Sequence, residues 1–335
     1  MAATGNGRRR EMGNATDARR RYQHATQILD DANGIVQLAR LAQAVAHASE
    51  PKGALVVAST RAAPNRIGMI SGSFNPLTRA HVALADAALD AGRLDMIVWL
   101  IPVVAINKAG VERASLVDRL AQMRAFADWR GDALAVVNRG LYVEQADIVR
   151  SLAPKYDELV MIVGFDKIVQ ILDPVYYTDR EAALDLLFSR VKALVAPRGG
   201  EDEVALDALL ARPENRRYRA HIAYCPLPRR FQGDSSTKAR AAAAQGKDGV
   251  SRAWRLLAPE GRALAALPDA YSPTAGEATP DRYIQRQELI AQLAAQSVAT
   301  NVARRRISEL LRQLATDDPD NALSARALRV QVPET

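Results

Sequence analysis

The sequence holds a single cysteine, Cys225, in 335 residues. One thiol cannot close an internal disulfide, and it cannot furnish a cysteine-rich zinc site. Aromatic residues are scarce, at 5%. No apolar run reaches the ~18 residues that a membrane-crossing helix needs, so no membrane partner is expected. Arg8, Arg9 and Arg10 open the chain without an apolar stretch behind them, which excludes a secretory signal. Cytoplasm is the expected location, with an organelle transit peptide as the alternative for so Arg-rich an opening. HExxH, GxxxxGK[ST] and GxGxxG are all missing. Their absence argues against a zinc-protease helix, a P-loop and the dinucleotide fingerprint respectively.

What is present suits a soluble globular protein: 48% hydrophobic and 25% charged residues. The formal net charge of +7 invites a nucleic-acid reading. Much of the basic excess, however, sits in arginine runs at 8–10, 19–21 and 304–306. Such runs read as solvated helix faces or tails, so nucleic acid is not expected as the main partner.

The chain divides by pattern. Residues 1–14 are polar and Gly-rich and read as a disordered tail. Residues 15–50 carry Ile28, Leu29, Ile35, Leu38, Leu41 and Val45 at helical spacing, which predicts an N-terminal helical arm, interrupted near Gly34. From 51 to 267 short aliphatic runs alternate with amphipathic helical stretches. Strands are predicted at 67–71, 95–101, 133–138, 158–163, 191–196 and 220–224. Helices are predicted at 79–91, 115–129, 144–152, 179–190, 203–211 and 236–244, while 53–60 fits either an extra strand or a linker. Strands separated by helices imply parallel βαβ units, hence an α/β fold with a Rossmann-like doubly wound parallel sheet. A Pro, Ser, Thr and Gly-rich linker is predicted at 268–281, a C-terminal helical extension at 282–316 and a loose tail at 317–335. The two helical extensions would pack on the core or form a homo-oligomer contact.

The informative stretch runs Ile67-Gly68-Met69-Ile70-Ser71-Gly72-Ser73-Phe74-Asn75-Pro76-Leu77-Thr78-Arg79-Ala80-His81. It is a strand, a Gly-Ser turn and a helix start. Backbone N–H groups at such a corner, with the positive end of the helix dipole, form an anion site. Gly72 lets backbone approach a phosphate closely. Thr78 and His81 lie three apart, on one helix face. A second corner, Asp234-Ser235-Ser236-Thr237-Lys238-Ala239-Arg240, also follows a strand and opens a helix. Helix capping accounts for one hydroxyl there. Three hydroxyls followed by Lys238 and Arg240 suit a polyphosphate.

Together the two corners resemble the nucleotidyltransferase superfamily with [HT]xGH and SSTxxR signatures. The spacing is similar to the nicotinamide or nicotinate mononucleotide adenylyltransferase branch, whose first motif has the form GxFxPx[HT]xGH. Between the corners, Asn107-Lys108, Arg119 and Met123, Gly164-Phe165-Asp166 and Pro197-Arg198-Gly199 resemble further features of that branch. The likeness covers about residues 66–244. Ala80 departs from the signature glycine, and Asp234 stands where an apolar residue is usual.

The resemblance implies transfer of AMP from ATP to nicotinamide or nicotinate mononucleotide, releasing pyrophosphate and forming a NAD-type dinucleotide. It implies catalytic roles for His81, Thr78, Lys108 and Arg240. ATP would meet Gly72, Ser73, Phe74, Gly164, Asp166, Ser235, Ser236 and Thr237. The acceptor would meet Asn107, Arg198 and Tyr176 or Tyr177. Mg2+ is expected on the substrate phosphates, with no protein metal site. The alternatives are a related transferase with another phosphate acceptor, or a non-catalytic nucleotide-binding protein.

Overall fold

A computed structural model describes residues 15–61, 64–103, 114–153, 155–271 and 282–295, with the side chains of 246–248 excepted. The predicted tails, residues 272–281 of the predicted linker and the C-terminal extension beyond 295 lie outside the described residues. So do Asn107 and Lys108.

Two helices come first, α1 (Ala15–Asp30) and α2 (Ala32–Ala46). The break between them falls at Asp31, not Gly34. Asp31 caps α2 by accepting from the Asn33 N–H. A Cβ on Gly34 would stand 2.5 Å from Asp31 Oδ2, so the glycine leaves room for the cap rather than ending a helix.

Strands β1 (Gly53–Val57), β2 (Arg66–Ser71), β3 (Met96–Pro102), β4 (Ala133–Val137), β5 (Glu158–Gly164), β6 (Lys192–Ala196) and β7 (Ile222–Tyr224) form one sheet. Between them run α3 (Arg79–Gly92), α4 (Leu116–Arg130), α5 (Tyr142–Leu152), α6 (Phe165–Leu172), α7 (Arg180–Arg190) and α8 (Glu203–Ala211). After β7 come α9 (Arg229–Gln232), α10 (Ser236–Ala243), α11 (Gly246–Leu256) and α12 (Pro259–Ala265), then α13 (Arg282–Ala295).

The sheet order is β1-β4-β3-β2-β5-β6-β7. Six strands are parallel, as the alternating pattern predicts, but β1 runs antiparallel along β4 at the edge. The stretch 53–60 is therefore a strand in its first half. The parallel strands wind outward in both directions from β2 and β5, so the topology reverses between those two. In an open α/β sheet the crevice beyond the strand ends at that reversal is where ligands bind. Successive residues of a strand face opposite sides. Ile97 and Trp99 accordingly join one apolar layer, and Met96, Val98 and Leu100 the other. Helices cover both faces, which is why the strands are apolar almost throughout.

The N-terminal helices and the described part of the C-terminal extension pack on this core. Arg21 of α1 donates two hydrogen bonds to Glu260 of α12 (2.8 and 2.9 Å) and lies 3.7 Å above the ring of Trp129. From α13, Arg286 reaches the fully buried Asp118 at 2.9 Å, and the Tyr283 hydroxyl and Gln287 amide donate to the same carboxylate. Burial alone would raise the Asp118 pKa. The Arg286 charge and these hydrogen bonds outweigh it and hold the carboxyl below its ordinary value.

Candidate active site

The first corner joins β2 to α3. The Gly72 N–H still donates to Leu100 O, then the backbone turns with Phe74 in the left-handed region, φ 44°. A Cβ at Gly72 would come 3.1 Å from the Phe74 ring. That ring is 1% exposed and packs edge-on against His81 (5.2 Å) and Trp99 (5.5 Å). The ring of Phe74, a residue expected to touch ATP, is turned into the core as a buried support beneath His81, which leaves its backbone as the part that could meet a nucleotide.

Thr78 caps α3, and its position also corrects an expectation. It is fully buried, so its hydroxyl is closed off from a phosphate. The hydroxyl lies 2.8 Å from His81 Nδ1 and accepts from the His81 N–H at 3.4 Å. The Thr78 N–H donates to the same Nδ1 at 3.1 Å. An amide N–H can only donate, so Nδ1 must accept, and the neutral imidazole keeps its proton on Nε2. Thr78 thus positions His81 and sets its tautomer.

Helix α4 holds the turn from below. The Arg119 guanidinium donates to Ser73 O at 3.0 Å. Gln122, fully buried, donates to Phe74 O through its amide and accepts from the Leu77 N–H at 3.1 Å. Two backbone groups that would otherwise be buried without partners are satisfied by one side chain.

The second corner meets the first directly. Ser236 Oγ donates to Pro76 O at 2.8 Å, and Arg240 Nη1 donates to Asn75 O at 2.7 Å. The three hydroxyls divide their work. Ser235 is the helix cap, accepting from the Lys238 N–H. Ser236 ties the corners together, and Thr237 is exposed. Tyr271, from the stretch read as linker, donates its hydroxyl to Asn75 Oδ1. Burial first of all pushes that phenol far above its ordinary range, so it stays a donor. Behind the turn, the Ala258 N–H donates to Leu77 O, and Leu257 forms a bridge to Thr78.

The remaining expected residues lie beyond β5 and β6. Gly164 ends β5, where a Cβ would meet Asp166 Oδ1 at 2.7 Å. Asp166 and Arg198 are both more than half exposed, with Nε and Oδ1 3.7 Å apart. Beneath them, burial first and then the Asp166 charge push the Tyr142 hydroxyl up to about 12. Tyr176 is 56% exposed. Tyr177 is half-buried, and its hydroxyl donates to Ile171 O at 2.6 Å, fixing the ring to α6. The structure brings His81, Ser236 and Arg240 onto one turn. It pairs Asp166 with Arg198, and among the described residues no hydrogen bond or ion pair links that pair to the turn.

Sequence reasoning passed over Gln122, Tyr271 and Gly261. Gln122 had a weak signal, an uncharged polar residue beside Met123 and one turn from Phe126. Tyr271 had none, lying in a Pro-rich stretch. Gly261 faces Leu77 O, which an added Cβ would meet at 2.1 Å.

The cytidylyltransferase-like family profile matches residues 69–242. The chain is 31% identical over 201 residues to a "Probable nicotinate-nucleotide adenylyltransferase" of Gloeobacter violaceus, covering 58% of this chain and 90% of that protein. It is 29% identical over 232 residues to a protein of the same name from Geobacter sulfurreducens, covering 68% and 98%. Among solved structures, Plasmodium falciparum nicotinic acid mononucleotide adenylyltransferase complexed with NaAD aligns with a TM-score of 0.43 and 17% identity, over 59% of this chain and 93% of that one.

Proposed function

Because the chain belongs to the cytidylyltransferase-like nucleotidyltransferases, on their nicotinate and nicotinamide mononucleotide adenylyltransferase branch, we propose that it transfers AMP from ATP to nicotinate mononucleotide. The observation that carries the proposal is the junction of the two corners: Ser236 and Arg240 bonded to the same turn whose helix presents His81.

In the reaction, an oxygen of the acceptor 5′-phosphate attacks the α-phosphorus of ATP. The bond from that phosphorus to the bridging oxygen breaks, and pyrophosphate leaves with the electron pair. No protein nucleophile is required, since positioning and charge stabilisation supply most of the acceleration in such transfers. His81 would donate its Nε2–H to the α-phosphate as charge builds there. Arg240, with the exposed Thr237, would hold the leaving phosphates, and Lys108 would meet the attacking or α-phosphate. Ser235 and Ser236 would act by shaping the corner through their hydroxyls, one capping α10 and the other bonded to Pro76 O. Gly164 and Asp166 would meet the nucleoside of ATP, and Arg198 with Tyr176 the acceptor.

Mg2+, when bound, would supply positive charge against the phosphates of the substrates. Its donors would be mainly the phosphates of the substrates, as is usual for this ion. Among the described residues no helix is long and apolar enough to cross a membrane. We place the reaction in the cytoplasm.

The test is His81→Ala assayed by pyrophosphate release with ATP, Mg2+ and a panel of nicotinate mononucleotide, nicotinamide mononucleotide and pantetheine phosphate. Turnover on nicotinate mononucleotide should fall ~10²-fold while ATP binding persists. An unchanged kcat would remove His81 from the chemistry, and turnover only on another acceptor would overturn the substrate assignment.

A further inference from the structure

A second basic cavity lies behind the catalytic turn. It is enclosed by α1, the first turn of α3 and the Leu257–Arg262 segment, with a volume of about 230 Å3. Ala18, Leu257 and Ala258 give it apolar walls, and Arg21, Arg79 and Arg262 open into it. On a helix, residues two apart point to opposite sides. Arg79 therefore faces away from His81, and shares its face with Val82, which also lines the cavity.

The charges there do not balance. Arg21 is matched by Glu260, which is itself 1% exposed and fully engaged. Arg79 gives one long hydrogen bond to Arg255 O, 3.4 Å, and Arg262 gives one to Trp254 O, 3.0 Å. Neither has an ion pair among the described residues. A guanidinium carries five N–H donors, so most of their capacity is uncommitted. Asp234 lies within reach of the Arg79 field, yet burial still holds its carboxyl above the ordinary value, which is not how a paired carboxylate behaves. Arg262 is pulled down by burial first and then by the charges of Arg79 and Arg21. Like charges gathered against apolar walls repel, and a dianion placed among them would reverse the sign of each interaction.

We propose that this cavity binds a phosphate dianion, either free or as the phosphate end of a small metabolite, through Arg79 and Arg262. At about 230 Å3 it falls below the ~300 Å3 at which sites for drug-sized ligands begin, so the phosphate group itself is the main feature recognised. Forked N–H donors match phosphate oxygens in pairs. Occupancy would be felt at the catalytic turn, because Leu257 and Ala258 form one wall of the cavity and are bonded to Thr78 and Leu77.

The full-length protein is first saturated with an α,β-methylene ATP analogue, which fills the catalytic phosphate site. Inorganic phosphate is then titrated and thermal unfolding followed, with chloride at matched ionic strength as control. The wild type should show a saturable rise in Tm, and Arg262→Ala should move its midpoint at least about tenfold higher. In phosphate-free buffer Arg262→Ala should leave kcat within about twofold of the wild type, as expected for a residue outside the catalytic machinery. If Arg262→Ala does not fold, Arg262→Gln reads the same midpoint. Ribose 5-phosphate that competes more tightly than phosphate, with ribose inert, assigns the metabolite source; phosphate binding as tightly assigns the free ion. A wild-type response no different from chloride, or an equal midpoint in the Arg262 variant, would overturn the site. The readout is binding, so it stands apart from whether nicotinate mononucleotide is the acceptor.

Discussion

The two sides of the crevice at the β2/β5 reversal are built differently. Beside β2 the turn is already braced: Gln122, Arg119, Ser236, Arg240 and Tyr271 all bond to residues 73–77, and Thr78 holds His81. Beside β5 and β6, Asp166, Arg198 and Tyr176 stand more than half exposed, with one 3.7 Å ion pair among them. Electrostatic catalysis gains most from donors fixed before the charge develops. Recognition of a base or ring can wait for the ligand. The asymmetry teaches that this fold spends its buried hydrogen bonds on the turn that carries His81 and leaves the β5 and β6 side open.

The sharpest way to break the braced side is from α4. Asp118→Ala would strand the Arg286 charge in the core, which costs about 3–5 kcal/mol when one partner of a buried pair is removed. Chemical denaturation should show that loss, and turnover should fall with it, since the neighbouring Arg119 holds Ser73 O. The same pair gives a pH test. The Asp118 pKa is lowered in the folded state, so its contribution is fully present above the ordinary carboxyl value of ~3.9 and is lost as pH falls through the folded value. Stability measured from pH 6 downward should therefore drop more steeply below ~4 in the wild type than in Asp118→Asn.

A smaller effect is expected from Gly261→Ala. Its methyl would meet Leu77 O at 2.1 Å, and overpacking of this kind costs ~1–3 kcal/mol. Tm should fall, and kcat should fall beyond what the fraction unfolded explains, because Leu77 adjoins Thr78. The smallest change in stability belongs to the open side. Arg198→Ala, at an exposed position, should stay within ~0.5 kcal/mol of the wild type and raise KM for the acceptor with little change in kcat. A large stability loss there, or an effect on kcat alone, would erase the contrast between the two sides.

The sequence made the sheet legible because its pattern reports it: the aliphatic runs that became β2 to β6 are buried on both faces. It made the two corners legible because their residue types are unusual together. The division of labour inside each corner was not legible. Thr78, Phe74 and Ser236 have chemistry suited to a nucleotide, and only the burial of the first two side chains and the bond of Ser236 to Pro76 O show them turned toward protein. Contacts such as Gln122 with Leu77 or Tyr271 with Asn75 join residues far apart in the chain, and no local pattern encodes them. The edge strand β1 was ambiguous because a short strand after Pro51 carries little periodicity. Asn107 and Lys108 lie outside the described residues, so their roles rest on the resemblance.

The bond from Ser236 to Pro76 spans 160 residues, and that from Tyr271 to Asn75 spans 196. A ribosome therefore releases the turn at 72–78 long before it makes these two pieces that steady it. Until the chain has emerged past Tyr271, the nascent polypeptide can own a finished half-sheet and still grip no nucleotide, so competence should arrive late in synthesis and all at once.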